Sequence, residues 1–312
     1  DRIDQLPLNG RNFLDLAQLE PGVQVVDGGT FDPTKNQFVG VSIGGRSGRV
    51  TRIQVDGVDI TDETVGTTVA NISNESIQEF GISQASLDPS TDLTSSGAVN
   101  IITRSGTNAI HGSGFGFFRN QKLAADQRLN KAVPSPEKPP FDRQIVGGRA
   151  GGPFIKDKLF WNVDYEHNNQ DAQRFTNVPE FPQFTGAFSV PLDETLASGR
   201  GDWVISSRMK AFYRFQHNNN FGVTGFGGRD LAAFGNRNNT NIHVGGIDFA
   251  GGRWTHAGRF SYFNFNNVVD AANDAAGTPR TIDPQGRPVL IRITGVLQDV
   301  GPDLLAPQQT YQ

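Results

Sequence analysis

Four carboxylates crowd one short stretch of the chain, Asp56, Asp59, Asp62 and Glu63. Oxygen ligands this close together could hold a cation. A calcium loop, however, sets its oxygens at alternate positions and follows them with a glycine and a distant glutamate. The spacing here is different, and a solvated hairpin and loop is the simpler reading. The run GGRSGR at residues 44–49 could cradle a phosphate, but it lacks the Lys-Ser/Thr ending and the long following helix of a phosphate-binding loop. GSGFG at residues 112–116 imitates a dinucleotide motif inside a strand-like run, where glycines serve close backbone approach. The five histidines, His111, His167, His217, His243 and His256, are dispersed. None has the close spacing of a zinc-protease pair. No Gly-x-Ser-x-Gly elbow is present, and no carboxylate pair has a spacing that implies glycoside hydrolysis. These residues predict no catalytic group, no bound metal and no cofactor. The asparagine runs at 218–220 and 238–239 read as hydrophilic loops able to hydrogen-bond a sugar.

The elements that carry these residues change character once. Before about residue 106, strands are short and separated by Gly/Asp turns. Residues 11–19, RNFLDLAQL, have apolar residues near helical spacing and are stopped by Pro21-Gly22. Strands are expected at 39–43, and at 52–55 and 58–60 around Asp56-Gly57, a hairpin-type turn signal. Asn74 is placed to cap a short helix running to Phe80, with Glu75 in its first turn. Two more strands, near 80–85 and 98–103, complete a small α+β domain.

From His111 onward the pattern is ribbons of alternating aromatic and polar residues. About seven are legible, near 111–119, 143–152, 158–167, 195–203, 208–218, 240–250 and 256–267. In 158–167, Leu159, Trp161, Val163 and Tyr165 share one face while Asn162, Asp164 and Glu166 share the other. In 208–218, Met209, Ala211, Tyr213 and Phe215 oppose Lys210, Arg214 and Gln216. The phase changes near Gly245-Gly246, which suggests a bulge. Long polar connections at 120–142, 168–194, 219–238 and from 268 alternate with short ones at 153–157, 204–207 and 251–255. That alternation is expected of a transmembrane barrel, with short turns on one side of the membrane and long loops on the other. Trp161, Tyr165, Trp203, Tyr213, Phe215, Tyr262 and Phe263 then form its aromatic belt in contact with outer-membrane lipid, and most of the histidines fall near strand ends at the interface.

Composition agrees. The chain has 312 residues, 37 Gly, 23 Phe and no Cys. Disulfides and thiolate metal sites are therefore excluded. A net charge of −4 argues against nucleic acid as the partner. No apolar run approaches the roughly 20 residues of a membrane helix, a test that barrel strands escape. No signal peptide is expected at Asp1, and both ends read as cuts through a longer protein.

Several motifs together resemble a TonB-dependent outer-membrane receptor, in particular its Oar-like branch. They are LPLNGRNFLDLAQLEPGV at 6–23, GGRSGRVTRIQVDGVDITDE at 44–63, SIQEFGISQAS at 76–86, GAVNIITRSGTNAIHGSGFGFFRN at 97–120 and PFIKDKLFWNVDYEHN at 153–168. Ser95-Ser96-Gly97-Ala98 departs from the Tyr-Gly or Gly-Gly pair that such receptors often carry. The resemblance implies an α+β plug domain over residues 1–106. Residues 107–312 would then be antiparallel transmembrane β-barrel strands, an incomplete barrel of about seven strands out of about 22. It implies import of an extracellular ligand, an oligosaccharide, a peptide or a chelated metal, with the TonB energy-transducing complex as partner and no enzymatic activity. It would place Arg46, Asp59, Asp62, Glu63, Asp88 and Asp92 on plug apices facing that ligand. An outer-membrane structural or adhesive protein and a secreted carbohydrate-binding module are the alternatives.

Overall fold

The structure is a computed structural model. It describes residues 8, 10–35, 37–84, 94, 96–123, 140–176, 182, 185–225, 233–271, 284–285, 291–292, 299–300 and 308–311. The N-terminal unit begins with a 3-10 helix, Phe13–Leu19, rather than an α-helix. The Asn12 side chain caps it by accepting from Leu14 N–H at 2.9 Å, and its three-residue period buries Phe13 with Leu16 and Leu14 with Ala17. Strands β1 (Val23–Asp27) and β2 (Val39–Ile43) pair antiparallel. A four-stranded sheet runs β4-β3-β6-β5, with β3 Thr51–Val55, β4 Val58–Asp59, β5 Ile77–Gln84 and β6 Gly97–Thr103. The β3 and β6 pair is parallel and buries Ile53, Val55, Val99 and Ile101, as a parallel pair covered on both faces should. Asp56 and Gly57 turn the β3–β4 hairpin with φ of 53° and 78°, the left-handed pair that a type I′ turn demands.

The helix expected from Asn74 to Phe80 is a single 3-10 turn, Asn74–Ser76, capped by Ser73. From Ile77 the chain is strand, because the ladder with β6 satisfies its backbone. The exit from this unit is tight. Arg104 N–H donates to Ser76 O at 2.7 Å, and at Gly106 a Cβ would press on the carbonyl of Trp161 and lie 2.7 Å from Gly152 O and Trp161 N. Only glycine fits there.

The rest is a meander in which sequence neighbours pair antiparallel. Its strands are β7 (His111–Asn120), β8 (Phe141–Ile155), β9 (Leu159–Thr176), β11 (Leu192–Ser206), β12 (Met209–Gly225), β13 (Ala233–Gly251) and β14 (Trp254–Ala271). A short β10 (Gly186–Ser189) pairs with the end of β9. The two-residue strands β15 (Ile291–Arg292) and β16 (Asp299–Val300) pair with each other, and β17 (Gln308–Tyr311) pairs with β14. The seven expected ribbons are present but longer. Much of what reads as loop at 168–194 and 219–238 is strand, since side chains polar on both faces leave the backbone ladder intact. The bulge expected at Gly245-Gly246 is absent, as β13 keeps one register with both neighbours through these residues. Its pattern shifts because Ile242 and Val244 point inward to the N-terminal core while Ile247 and Phe249 point outward. Gly246 makes room for the Phe212 ring.

The outer face is ordered by height. Leu159, Trp161, Val163 and Tyr165 on β9 align with Ala211, Tyr213 and Phe215 on β12 and with Ile247, Phe260 and Tyr262 beyond. The next outward positions are His167, Thr195, His217, Asn219, Asn239, Asn241, Asn264 and Asn266. The apolar band therefore ends about halfway along strands of 15–19 residues. Only His111 and His256 lie near strand ends. His167, His217 and His243 are mid-strand at the upper border of this band.

Candidate functional site: a polar seam and a cavity

The N-terminal unit sits against the inner face of the sheet, and alternation decides what it meets. Inward positions carry Asp164, Glu166, Asn168, Arg200, Arg214, Gln216 and Asn218, and the last three are almost wholly buried. Two ion-pair clusters tie the unit down. In one, Asp56, at the hairpin tip, accepts from Arg200 Nη1 at 2.9 Å and pairs with Arg214 Nε at 2.8 Å. The same carboxylate accepts from Thr103 N–H and Oγ at 3.0 and 2.8 Å. In the other, Arg11 bridges Glu75 and Glu166 at 3.2 and 3.3 Å, with Ser73 Oγ donating to Glu166 at 2.7 Å and Ser113 Oγ to Glu75 at 2.8 Å. The Arg11 guanidinium also lies 4.0 Å over the Phe115 ring. Amides join the two surfaces between these clusters. Asn71 N–H donates to Asn218 Oδ1 at 2.9 Å, Asn71 Nδ2 to Glu194 at 2.7 Å, and Gln216 Nε2 to Asn71 O at 2.9 Å. Ile242, Val244 and Phe265 add an apolar patch continuous with the N-terminal core.

Between unit and sheet lies a cavity of about 370 Å³. The unit contributes Arg11, Asn12, Gln37 and Asn71; the sheet contributes Arg143, Glu166, Asn168, Gln170, Arg174 and Glu194. Its lining comes from the outer halves of β9 and β12 and the facing ends of β8 and β11, the ends away from the short turns.

The expected ligand-facing residues are elsewhere. Arg46 is exposed on the turn after β2, at the opposite end of the β1–β2 ribbon from Asp27 and Val39, which line the cavity. Asp59 pairs with Arg52 at 3.2 Å and accepts from Thr61 N–H at 2.8 Å, and Glu63 pairs with the same Arg52 at 2.7 Å. Asp62 is buried and bridged to Lys35 at 2.7 Å. Burial pushes its carboxyl up, but the Lys35 ammonium and the Val65 and Thr64 amides outweigh that and hold it below the usual range. The solvated reading of the acidic stretch therefore fails for Asp56 and Asp62, whose counter-ions lie far away in sequence. Asp88 and Asp92 lie outside the described residues. Trp161, Tyr165, Trp203, Tyr213, Phe215 and Tyr262 share the outer face, whereas Phe263 pairs with buried Ile242 and takes the inner one. Among the described residues no three His, Cys, Asp or Glu side chains gather as a metal set. The cavity residues were missed because none forms a local motif; their one sequence signal is the polar phase of the ribbons, which already contained Glu166.

Comparison with known proteins agrees with this architecture. Residues 102–198 match the model of an outer membrane beta barrel domain. The TonB-dependent transporter Oar of Myxococcus xanthus is 30% identical over 154 residues, covering 48% of this chain and 14% of Oar. Among solved structures, the outer membrane transporter YddB from Escherichia coli superposes with a TM-score of 0.68 at 11% identity, covering 96% of this chain and 41% of that one. The ferric enterobactin receptor PfeA from Pseudomonas aeruginosa gives 0.58 at 13% identity, covering 89% and 42%. The chain thus spans less than half the length of these relatives. Residues 102–198 thus match an outer-membrane β-barrel domain, and the chain is similar in sequence to part of the TonB-dependent transporter Oar and in fold to part of an outer-membrane transporter.

Proposed function

We propose that this chain is the plug, residues 1–106, and the first part of the barrel wall, residues 107–312, of a TonB-dependent outer-membrane importer with no enzymatic activity. A ligand is captured from outside at the plug–wall interface, and force transmitted by the TonB complex rearranges the plug to admit it. The observation that carries the reading is the chemistry of the seam. Ion pairs and amides dominate it, and water can replace such contacts when the surfaces part, so each one adds only a modest net free energy. A plug seated by apolar packing alone would resist displacement far more. Such a seam supports two states, biased by ligand outside and force inside. The outer apolar band supports burial in the membrane rather than a secreted soluble module.

The test is uptake in cells. Ligand accumulation should be lost when tonB is deleted and restored by complementation. Accumulation that is unchanged without TonB would leave a structural or adhesive outer-membrane protein as the better reading.

A further inference from the structure

We propose that the cavity between plug and wall binds a short peptide of two or three residues. This deepens the importer reading and rests on it. Five primary amides line the cavity, Asn12, Gln37, Asn71, Asn168 and Gln170, and each both gives and takes hydrogen bonds, as a peptide group does. Three of their atoms, Asn71 Oδ1, Asn168 Oδ1 and Gln37 Nε2, have no partner within the protein. Asn71 and Asn168 are nevertheless only 6% and 5% exposed. Buried polar groups are nearly always bonded, so this set asks for N–H donors opposite the two oxygens and a carbonyl opposite the nitrogen. One ligand backbone supplies both. Aliphatic Val39, Ile72, Leu192 and Val223 lie among the amides and suit small apolar side chains. Glu194, which already accepts from Asn71 and Asn218, and Arg174 are also in the lining. The volume of about 370 Å³ is at the small end of the roughly 300–1,000 Å³ of ligand sites. A saccharide could bond the same amides, but its hydroxyls would be set against the aliphatic patch.

The experiment titrates detergent-purified full-length protein by calorimetry with an equimolar mixture of uncapped aliphatic tripeptides, and separately with maltotriose. Tripeptide binding is expected. Asn168→Leu should weaken it roughly tenfold while leaving the thermal midpoint unchanged, because the lost oxygen has no protein partner. Asn162→Leu removes an equally buried, unpartnered oxygen that does not line the cavity and should leave binding unchanged. Binding of maltotriose instead, tripeptide binding indifferent to Asn168→Leu, or no heat from either ligand at millimolar concentration would overturn the assignment. TonB-dependent uptake is scored independently in cells. Retained TonB dependence without tripeptide binding would therefore sink the peptide class and leave the importer reading standing.

Discussion

Asp56→Asn tests the seam at its most buried point. Asp56 and Arg214 have side chains only 3% and 1% exposed, so solvent screening gives no relief. Asparagine keeps the shape but turns one acceptor into a donor pair. Both carboxylate oxygens are engaged, by Thr103 N–H and Arg200 on one and Thr103 Oγ and Arg214 on the other. Whichever way the amide turns, an NH₂ faces a guanidinium. Arg200 retains Asp202 at 2.9 Å, whereas Arg214 loses the counter-charge 2.8 Å away and is left as a buried, poorly compensated charge. Breaking one side of such a pair costs about 3–5 kcal/mol. The assay is a double-mutant cycle on the purified chain, unfolded in guanidinium and followed by tryptophan fluorescence. Arg214→Met, which removes the orphaned charge, should rescue Asp56→Asn, with the double variant at least about 2 kcal/mol less destabilised than the sum of the singles. Additivity within about 0.5 kcal/mol, or a loss below about 1 kcal/mol for Asp56→Asn, would refute the claim that this cluster fastens the N-terminal unit to the sheet.

Three other outcomes are expected. Gly106→Val drives a side chain into the backbone of β8 and β9 and should abolish folding in the membrane, read as loss of heat-modifiable gel mobility, while Gly114→Ala, whose nearest neighbour would be 3.9 Å away, should be silent. The depressed Asp62 carboxyl adds stability that is complete above its unfolded pKa near 3.9 and is lost as pH falls through the lower folded value. Proteolysis of the 28–38 segment should therefore accelerate below about pH 4 in the parent and show no such step in Asp62→Asn. Tyr213→Arg, within the outer apolar band, should cost about 2–4 kcal/mol in folding into lipid vesicles, and Asn219→Arg, above it, about 0–1 kcal/mol; equal costs would mean that the band is misplaced.

The meander was legible because period-two alternation is local. Leu159 to Glu166 and Met209 to Gln216 assign their own faces, and registers that shift only beside the short turns carry that assignment along each strand. Strand ends were not legible, because Asn218 to Asn220 and Asn236 to Asn241 are polar on both faces and mimic loop. Phe263 follows Tyr262 directly, so alternation alone could not say which ring faced out; its pairing with Ile242 decides. The acidic stretch misled for a similar reason. Lys35 lies 27 residues before Asp62, and Arg200 lies 144 residues from Asp56, beyond any local pattern. The cavity as such was hidden, since it exists only where residues 10–72 and 143–224, distant in sequence, meet.

The two polar faces of the outer strand halves have separate causes. A barrel strand needs about 9–11 residues to cross a membrane, and the outward apolar run on β9 ends at Tyr165, seven residues into an 18-residue strand. Beyond it the wall has left the hydrocarbon, so outward Asn219, Asn239 and Asn266 meet water or headgroups at no desolvation cost. Inward, the same stretch carries Asn168, Glu194 and Asn218, which the N-terminal unit does cover. Polarity there is tolerated only where partners exist, and the seam supplies most of them. Among the buried atoms that the seam leaves unpartnered are the oxygens of Asn71 and Asn168, and both line the cavity. The cavity lies at this same height, above the outer apolar band, and its lining includes two of the unpartnered oxygens, so this is where a ligand is to be sought.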